Sequence, residues 1–229
     1  LTPDYTIGCK RILLSNRYYR ALARDNVDVV TTGIREVRPH GVVTDDGVEH
    51  PCDTIIFGTG FQVTDQPVAH QIVGSAGTTL HEAWAGSPTA HLGTTVAGFP
   101  NLFMLLGPNT GLGHTSITIM IEAQVEYVRQ ALRHMRTARV ATIEPRPAAQ
   151  AAWNAEVDRR GRGTVWTAGG CASWYLDETG RNSTLWPAFT FTYRRRVARF
   201  DAADYTLTGP RPPSPVTPAP TPDLSRYSS

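Results

Sequence analysis

At 229 residues, 41% of them apolar, the chain is long enough for one sizeable domain with a real core. Its formal net charge is only +2 and its basic residues are dispersed, Arg194-Arg195-Arg196 being the one tight run, which argues against an electrostatic nucleic-acid binder. No run approaches the roughly 18 apolar residues of a membrane span, and no signal peptide is visible. In chain order, residues 1–24 read as a connection with a short helix at 16–24. Strands are expected at 27–30, 34–38, 41–44 and 48–50, the last two joined by Asp45-Asp46-Gly47, a strong hairpin signal. This antiparallel meander feeds the most informative stretch, Asp53-Thr54-Ile55-Ile56-Phe57-Gly58-Thr59-Gly60-Phe61. An acidic residue opens an uninterrupted apolar run that ends in two glycines. Apolar residues without polar alternation predict a strand buried on both faces, as in a parallel sheet covered by helices. Glycines at the carboxyl end of such a strand let a bulky group approach the backbone, and in open α/β sheets ligands bind there. The same run also suits an ordinary tight turn.

Residues 62–100 are irregular, with a short helical turn or strand at 80–84. A second buried strand is expected at 101–106, followed by the loop Gly107-Pro108-Asn109-Thr110-Gly111-Leu112-Gly113-His114. The positions Ile117, Met120, Ile121, Gln124 or Val125, Val128, Leu132 and Met135 then repeat at helical spacing, predicting a helix over 116–136. Thr115 or Ser116 is its natural N-cap. Its unpaired N–H groups and positive dipole end would face the loop and suit a phosphate, a carboxylate or another electron-rich group. A short strand at 140–142 precedes a second helix from Pro147, at its first position, to about residue 160. Residues 161–205 mix aromatics with polar residues. From Gly209 the chain holds seven prolines in fourteen residues, a tail expected to lack fixed structure.

Cys9, Cys52 and Cys171 form no CxxC and leave one unpaired, which suits a reducing, cytoplasmic setting rather than a disulfide scaffold or a zinc site. The seven histidines are scattered, none at metal-ligand spacing from a cysteine or carboxylate.

Five stretches together resemble the C-terminal part of class B flavin-dependent monooxygenases, the Baeyer–Villiger and flavin-containing types. Gly8-Cys9-Lys10-Arg11, with Tyr18-Tyr19 and Arg24-Asp25-Asn26-Val27, is similar to that family's Lys-Arg linker and following strand. Asp53 to Phe61 is similar to its "ATGF" strand end, with Gly58 in place of the usual Ala. Residues 97–103 and 106–109 match the next strand and flavin loop. Ile121-Glu122-Ala123-Gln124 fits the helix after it. Ser173-Trp174-Tyr175 with Gly180-Arg181-Asn182 resembles the late Trp-containing loop. The family's glycine-rich fingerprints for FAD and the nicotinamide cofactor are absent, and residues 176–179 depart from the best-known ring-expanding members. A fragment of a longer protein is therefore expected.

The resemblance implies an α/β fold, part of a Rossmann-like FAD-binding domain with parallel strands plus an antiparallel meander and a loop-rich C-terminal lobe. The implied organisation is a linker at 1–24, the C-terminal half of the FAD domain at 25–145, a helical and loop-rich lobe at 146–208 and a Pro-rich tail at 209–229. The implied cofactors are FAD and NADPH. The implied partners are O2, a small organic substrate and the missing N-terminal cofactor-binding segments, with no nucleic acid or membrane. Arg11 would be catalytic, its permanently charged guanidinium stabilising negative charge on the reacting oxygen. Lys10 would pair with the 2′-phosphate of NADPH. Thr59, Gly60 and Phe61 would lie along the flavin, Gly107, Pro108 and Asn109 would line its ring, and Leu112 to Thr115 would turn backbone N–H groups to its pyrimidine edge. His114 could donate to flavin or substrate, Trp174 would contact the nicotinamide ribose, and Glu122 and Gln124 would tie down neighbouring loops. The reaction would be oxygenation of a ketone, which the Lys10-Arg11 and Ser173-Trp174 matches favour, or of a soft nitrogen or sulfur centre. The alternative is a non-catalytic remnant or partner-binding module.

Overall fold

A computed structural model describes residues 2–60, 63 and 65–210. It divides into two compact units, residues 11–62 and a second formed by residues up to Lys10 with those from Val63 onward.

In the first unit a short helix, α1 (Tyr18–Leu22), precedes an antiparallel sheet of β1 (Ile34–Arg38), β2 (Gly41–Thr44) and β3 (Glu49–Pro51), in that order. This is the expected meander without its first strand, since residues 27–30 pair with nothing in the sheet. The hairpin forms because Asp46 accepts from the Thr44 hydroxyl and the Val48 N–H, while Gly47 takes a left-handed φ of 84°. Arg38 ties the strands at the surface, 3.0 Å from both Glu36 and Glu49.

The strand expected at 53–57 does not form. Residues 54–60 have no regular structure, and Ile56 and Phe57 are 90% and 77% exposed. A parallel strand needs neighbours on both edges to satisfy its backbone, and none is present among the described residues.

The second unit carries the core. Short α2 (Leu80–Trp84) is capped by a reciprocal Thr79–Glu82 box, the hydroxyl accepting from the Glu82 N–H and the carboxylate from the Thr79 N–H. α3 (Ile117–Ala138), β4 (Val140–Pro145), α4 (Pro147–Gly161), α5 (Val165–Ala168), α6 (Thr190–Val197) and β5 (Tyr205–Pro210) follow, with β4 and β5 paired antiparallel. α3, β4 and α4 lie where hydrophobic spacing and Pro147 predict them. The tail expected from Gly209 instead starts as β5, because Pro210 pairs with Val140; residues 211–229 lie outside the described chain.

The strand expected at 101–106 also fails. Asn101 and Leu106 both adopt left-handed backbone, with φ of 60° and 59°, which interrupts extended structure at each end. Its backbone groups find irregular partners instead: Met104 N–H donates to Thr94 O, and Leu106 N–H to the Gln124 side chain.

The main core gathers Leu112, Met120, Tyr127, Ile143, Trp153, Val157, Trp186, Tyr193 and Val197. Trp153 and Trp186 stack with centroids 5.4 Å apart. On α3 the buried face is Met120, Gln124, Tyr127 and Ala131, so it is rotated from the apolar spacing, and Val125 and Leu132 are half exposed. The buried tyrosines are satisfied internally: Tyr127 and Tyr205 hydroxyls are 2.8 Å apart, and Tyr193 donates to Leu92 O at 2.8 Å. Burial pushes the ionisation of Tyr127 and Tyr193 far up and raises that of Tyr205. No helix among the described residues is long and apolar enough to cross a membrane.

His91 lies in this core, 4% exposed, its Nε2 3.4 Å from Asp204 without hydrogen-bond geometry. Burial lowers its pKa more than the nearby Asp204 raises it. The unfolded chain therefore binds a proton on His91 at a higher pH than the folded one, and stability falls as pH drops below about 6.5. Denaturant unfolding of wild type and His91→Gln at several pH values between about 7 and about 5 should give a smaller acid loss in the variant.

Candidate functional site

The residues brought together in the second unit centre on the loop 107–115. Gly107 sits against the 91–95 turn so tightly that a Cβ would meet Gly93 O at 2.5 Å, and a Cβ on Gly93 would meet Pro108 O at 2.8 Å. Asn109 is 1% exposed with a left-handed φ of 59°. Its amide donates to Asn182 O at 2.6 Å and Leu185 O at 3.3 Å, and its Oδ1 accepts from Arg181 Nη2 at 2.9 Å. Arg181 also donates to Asp158 at 2.7 Å and to Pro88 O at 2.9 Å. Asp177 closes the same loop, accepting from Ser87, Thr179 and the Arg181 N–H. Gln124, fully buried, holds both sides of the 107 loop: it accepts from Leu106 N–H and donates to Gly93 O and Thr94. That is the tie-down role expected of it.

With Pro108 and Asn109 buried, the accessible part of this loop is its end. Leu112 is 4% exposed and belongs to the core, and Gly113 packs on Trp166. His114, Thr115 and Ser116 are exposed at the start of α3. His114 Nδ1 lies 3.2 Å from the Thr115 hydroxyl, which lies 2.7 Å from that of Thr190. Ser116 occupies the N-cap position, yet its side chain makes no capping bond. The amino end of a 22-residue helix thus faces outward without a side-chain cap, a feature suited to negative charge or an electron-rich edge.

A second feature is a disulfide between Cys9 and Cys171, with Cα atoms 6.2 Å apart across 162 residues. The bond runs against the reading of the cysteines as no disulfide scaffold, while Cys52 is the one left unpaired, as the odd count requires; sequence distance says nothing about proximity in the fold. Thr6 N–H donates to Gly169 O, and a Cβ on Gly169 would meet Cys9 Sγ at 2.8 Å, so the amino-terminal segment is packed onto the 165–171 loop. Lys10 follows Cys9 directly, its ammonium 4.7 Å from the Tyr5 ring centroid. Trp174 lies three residues beyond Cys171, 49% exposed and 4.4 Å from the buried Tyr175 ring. The disulfide ties together the segments that carry the two residues expected to meet the nicotinamide cofactor.

The other expected residues lie in the first unit. Arg11, Thr59 and Gly60 are exposed, Gly60 has a φ of 85°, and no atom lies within 4 Å of where a Cβ on Gly58 or Gly60 would sit. Phe61 is outside the described residues. Arg181 and Asp177, the organisers of the site, carried no signal of their own beyond the matched Gly180-Arg181-Asn182 stretch.

No protein-family model matches the chain. It is 52% identical over 213 residues to a Baeyer-Villiger monooxygenase of Streptomyces coelicolor, across 93% of this chain and 41% of that protein. A Baeyer-Villiger monooxygenase of Pseudomonas aeruginosa is 49% identical over 209 residues, 91% of this chain and 40% of that protein. Among solved structures, cyclohexanone monooxygenase from Rhodococcus sp. Phi1 bound to NADP+ superposes with a TM-score of 0.74 at 32% identity, covering 87% of this chain and 39% of that one. The complex of OTEMO with FAD and NADP gives 0.78 at 29%, covering 90% and 39%. The chain is thus a relative of the class B flavin-dependent monooxygenases, with the fold of part of such a protein. It spans about two-fifths of the length of the curated relatives it matches.

Two outcomes follow from the geometry. Asn109→Ala leaves a buried guanidinium contact and two carbonyls unpartnered, and should lower stability by about 1–3 kcal/mol in denaturant melts, whereas exposed His114→Ala stays within about 0.5 kcal/mol of wild type. Replacing Cys9 and Cys171 together by Ser should cost about 2–4 kcal/mol and make cleavage between residues 165 and 174 faster under limited proteolysis.

Proposed function

We propose that the chain forms part of an FAD- and NADPH-dependent monooxygenase that inserts one oxygen atom from O2 into a ketone. The observation that supports this most is the 52% identity to a Baeyer-Villiger monooxygenase over 93% of the chain. Solved relatives carry NADP, and one carries FAD as well. The residues present fit such cofactors: the space around Gly58 and Gly60 is open, and the amino end of α3 is exposed and uncapped.

Bound here, FAD would supply oxygen activation and NADPH the hydride that reduces it. This chain's own contribution is positional and electrostatic. Thr59 and Gly60 present backbone that a flat ring can approach, and Phe61 is the neighbour expected to lie along it. Gly107, Pro108 and Asn109 would line the ring by packing, since the Asn109 side-chain amide and its backbone N–H are both committed inward. Leu112 to Thr115 bring N–H groups to the ring's electron-rich edge, with His114 as a further donor. Lys10 meets the 2′-phosphate as a point charge, Trp174 covers the ribose and excludes water, and Arg11 stabilises negative charge on the attacking oxygen.

The test uses the full-length protein that contains this chain, with ketones, sulfides and amines supplied separately. Esters or lactones should form with matching NADPH consumption. Formation of sulfoxides or N-oxides alone would replace the carbonyl assignment, and a protein that holds no flavin would favour the remnant reading. Arg11→Ala in that protein should keep flavin bound and reducible while product formation falls by about 100-fold or more. Unchanged turnover would remove Arg11 from the chemistry.

A further inference from the structure

Away from the 107–115 loop, three side chains with no part in the flavin chemistry converge. Asp65, His70 and His81 each offer one ligand atom, and the three atoms lie within 4.8 Å of one another. Asp65 Oδ1 is 2.9 Å from His70 Nε2 and 3.3 Å from His81 Nδ1. The two imidazoles stack with centroids 3.8 Å apart and planes 23° from parallel. We propose that Asp65, His70 and His81 form a binding site for a divalent transition-metal ion of the zinc class.

The spacing suits the ion. Zinc bonds to nitrogen and oxygen are about 2.0–2.1 Å, which puts the ligand atoms of a tetrahedral site about 3.3 Å apart. The Asp65–His81 separation of 3.3 Å already equals that edge, and the Asp65–His70 separation of 2.9 Å is slightly shorter. Two imidazoles and one carboxylate are the donor set that such ions favour over magnesium or calcium, which prefer oxygen alone.

The scaffold is built before the ion arrives. His70 ends a 3-10 turn, Pro67–His70, and His81 sits in α2, whose first turn is fixed by the Thr79–Glu82 capping box. Ala69 and Leu80, one residue away from each histidine, are 1% exposed in a small core with Trp84, Val96 and Phe99. Ile72 O accepts from Leu80 N–H at 2.8 Å and locks the two elements together. Little conformational freedom remains to be lost on binding.

The local charge favours a dication. Asp65 brings one carboxylate within reach of both rings. Glu178 lines the same cleft as Asp65 and His81 and adds a second negative charge. Binding needs the lone pairs on His70 Nε2 and His81 Nδ1, so each neutral ring carries its proton on the other nitrogen. The histidine side chains are 47% and 43% exposed, which leaves water to accept from that nitrogen and to complete the ion's fourth position.

Metal-stripped protein is titrated with zinc chloride by calorimetry and with cobalt(II) by visible absorption. The expected result is one zinc ion per chain and intense cobalt bands of a tetrahedral site. Asp65→Asn, nearly isosteric, and His81→Asn should each weaken zinc by at least about tenfold, while His40→Asn, at an exposed position elsewhere, changes nothing. Circular dichroism checks that each variant is folded. If His81→Asn fails to fold, Asp65→Asn decides alone. No zinc binding to wild type, or equal affinity in Asp65→Asn, overturns the site.

Discussion

One partly buried guanidinium holds the second unit in shape. Arg181, its side chain only 17% exposed, reaches Asp158 on α4, the carbonyl of Pro88 and the amide oxygen of Asn109. Segments near residues 88, 109, 158 and 181 are thereby fixed by one planar, five-donor group, which a lysine's point charge could not reproduce. A charge placed there must be paired, because a buried ion missing its partner costs several kcal/mol. The loop geometry of the candidate site is downstream of that requirement.

Asn109 shows how the requirement becomes a residue choice. Its backbone is left-handed, a conformation that glycine takes freely and asparagine tolerates better than most residues. Glycine would fit the turn but lose three hydrogen bonds; a branched apolar residue would fit neither turn nor network. The polar side chains of this loop are directed inward, and the Asn109 and Gly111 N–H groups donate to Ser183 O and Thr184 O, so the donors turned outward are those at the exposed His114 and Thr115. Donors fixed in this way do not reorganise when a ligand develops charge, the property that makes preorganised electrostatics effective.

What could be read from the sequence divides by range of interaction. α3, β4, α4 and the Asp45-Asp46-Gly47 hairpin follow from signals within a few residues: helical spacing, a proline at a helix start, a turn glycine. The disulfide joins residues 162 apart, and the metal-ligand triad joins a 3-10 turn to a short helix, with spacings that match no motif. The buried face of α3 was misplaced for a related reason. Tyr127 stands outside the apolar series and Gln124 shares one of its positions with Val125, yet both are buried, because a loop carbonyl accepts from the Gln124 amide and the Tyr127 hydroxyl pairs with that of Tyr205. Of the residues expected at the site, those at the start of α3 and Trp174 are exposed, whereas the inward role of the Asn109 side chain depends on partners some 70 residues away.

The two unformed strands carry the same lesson in reverse. Ile55, Ile56 and Phe57 have the composition of an interior parallel strand. Composition sets only a preference, because a strand's backbone groups need paired edges and its side chains need covered faces. Among the described residues neither is supplied, so Ile56 and Phe57 remain exposed. A contiguous apolar run of this kind is an adhesive surface in isolation. Flanking parallel strands would convert it from a liability into the floor beneath Gly58 and Gly60, and would orient those glycines toward whatever the open space above them receives. The capacity of this chain to build a cofactor site is therefore limited less by the residues at the site than by the sheet that must stand behind them.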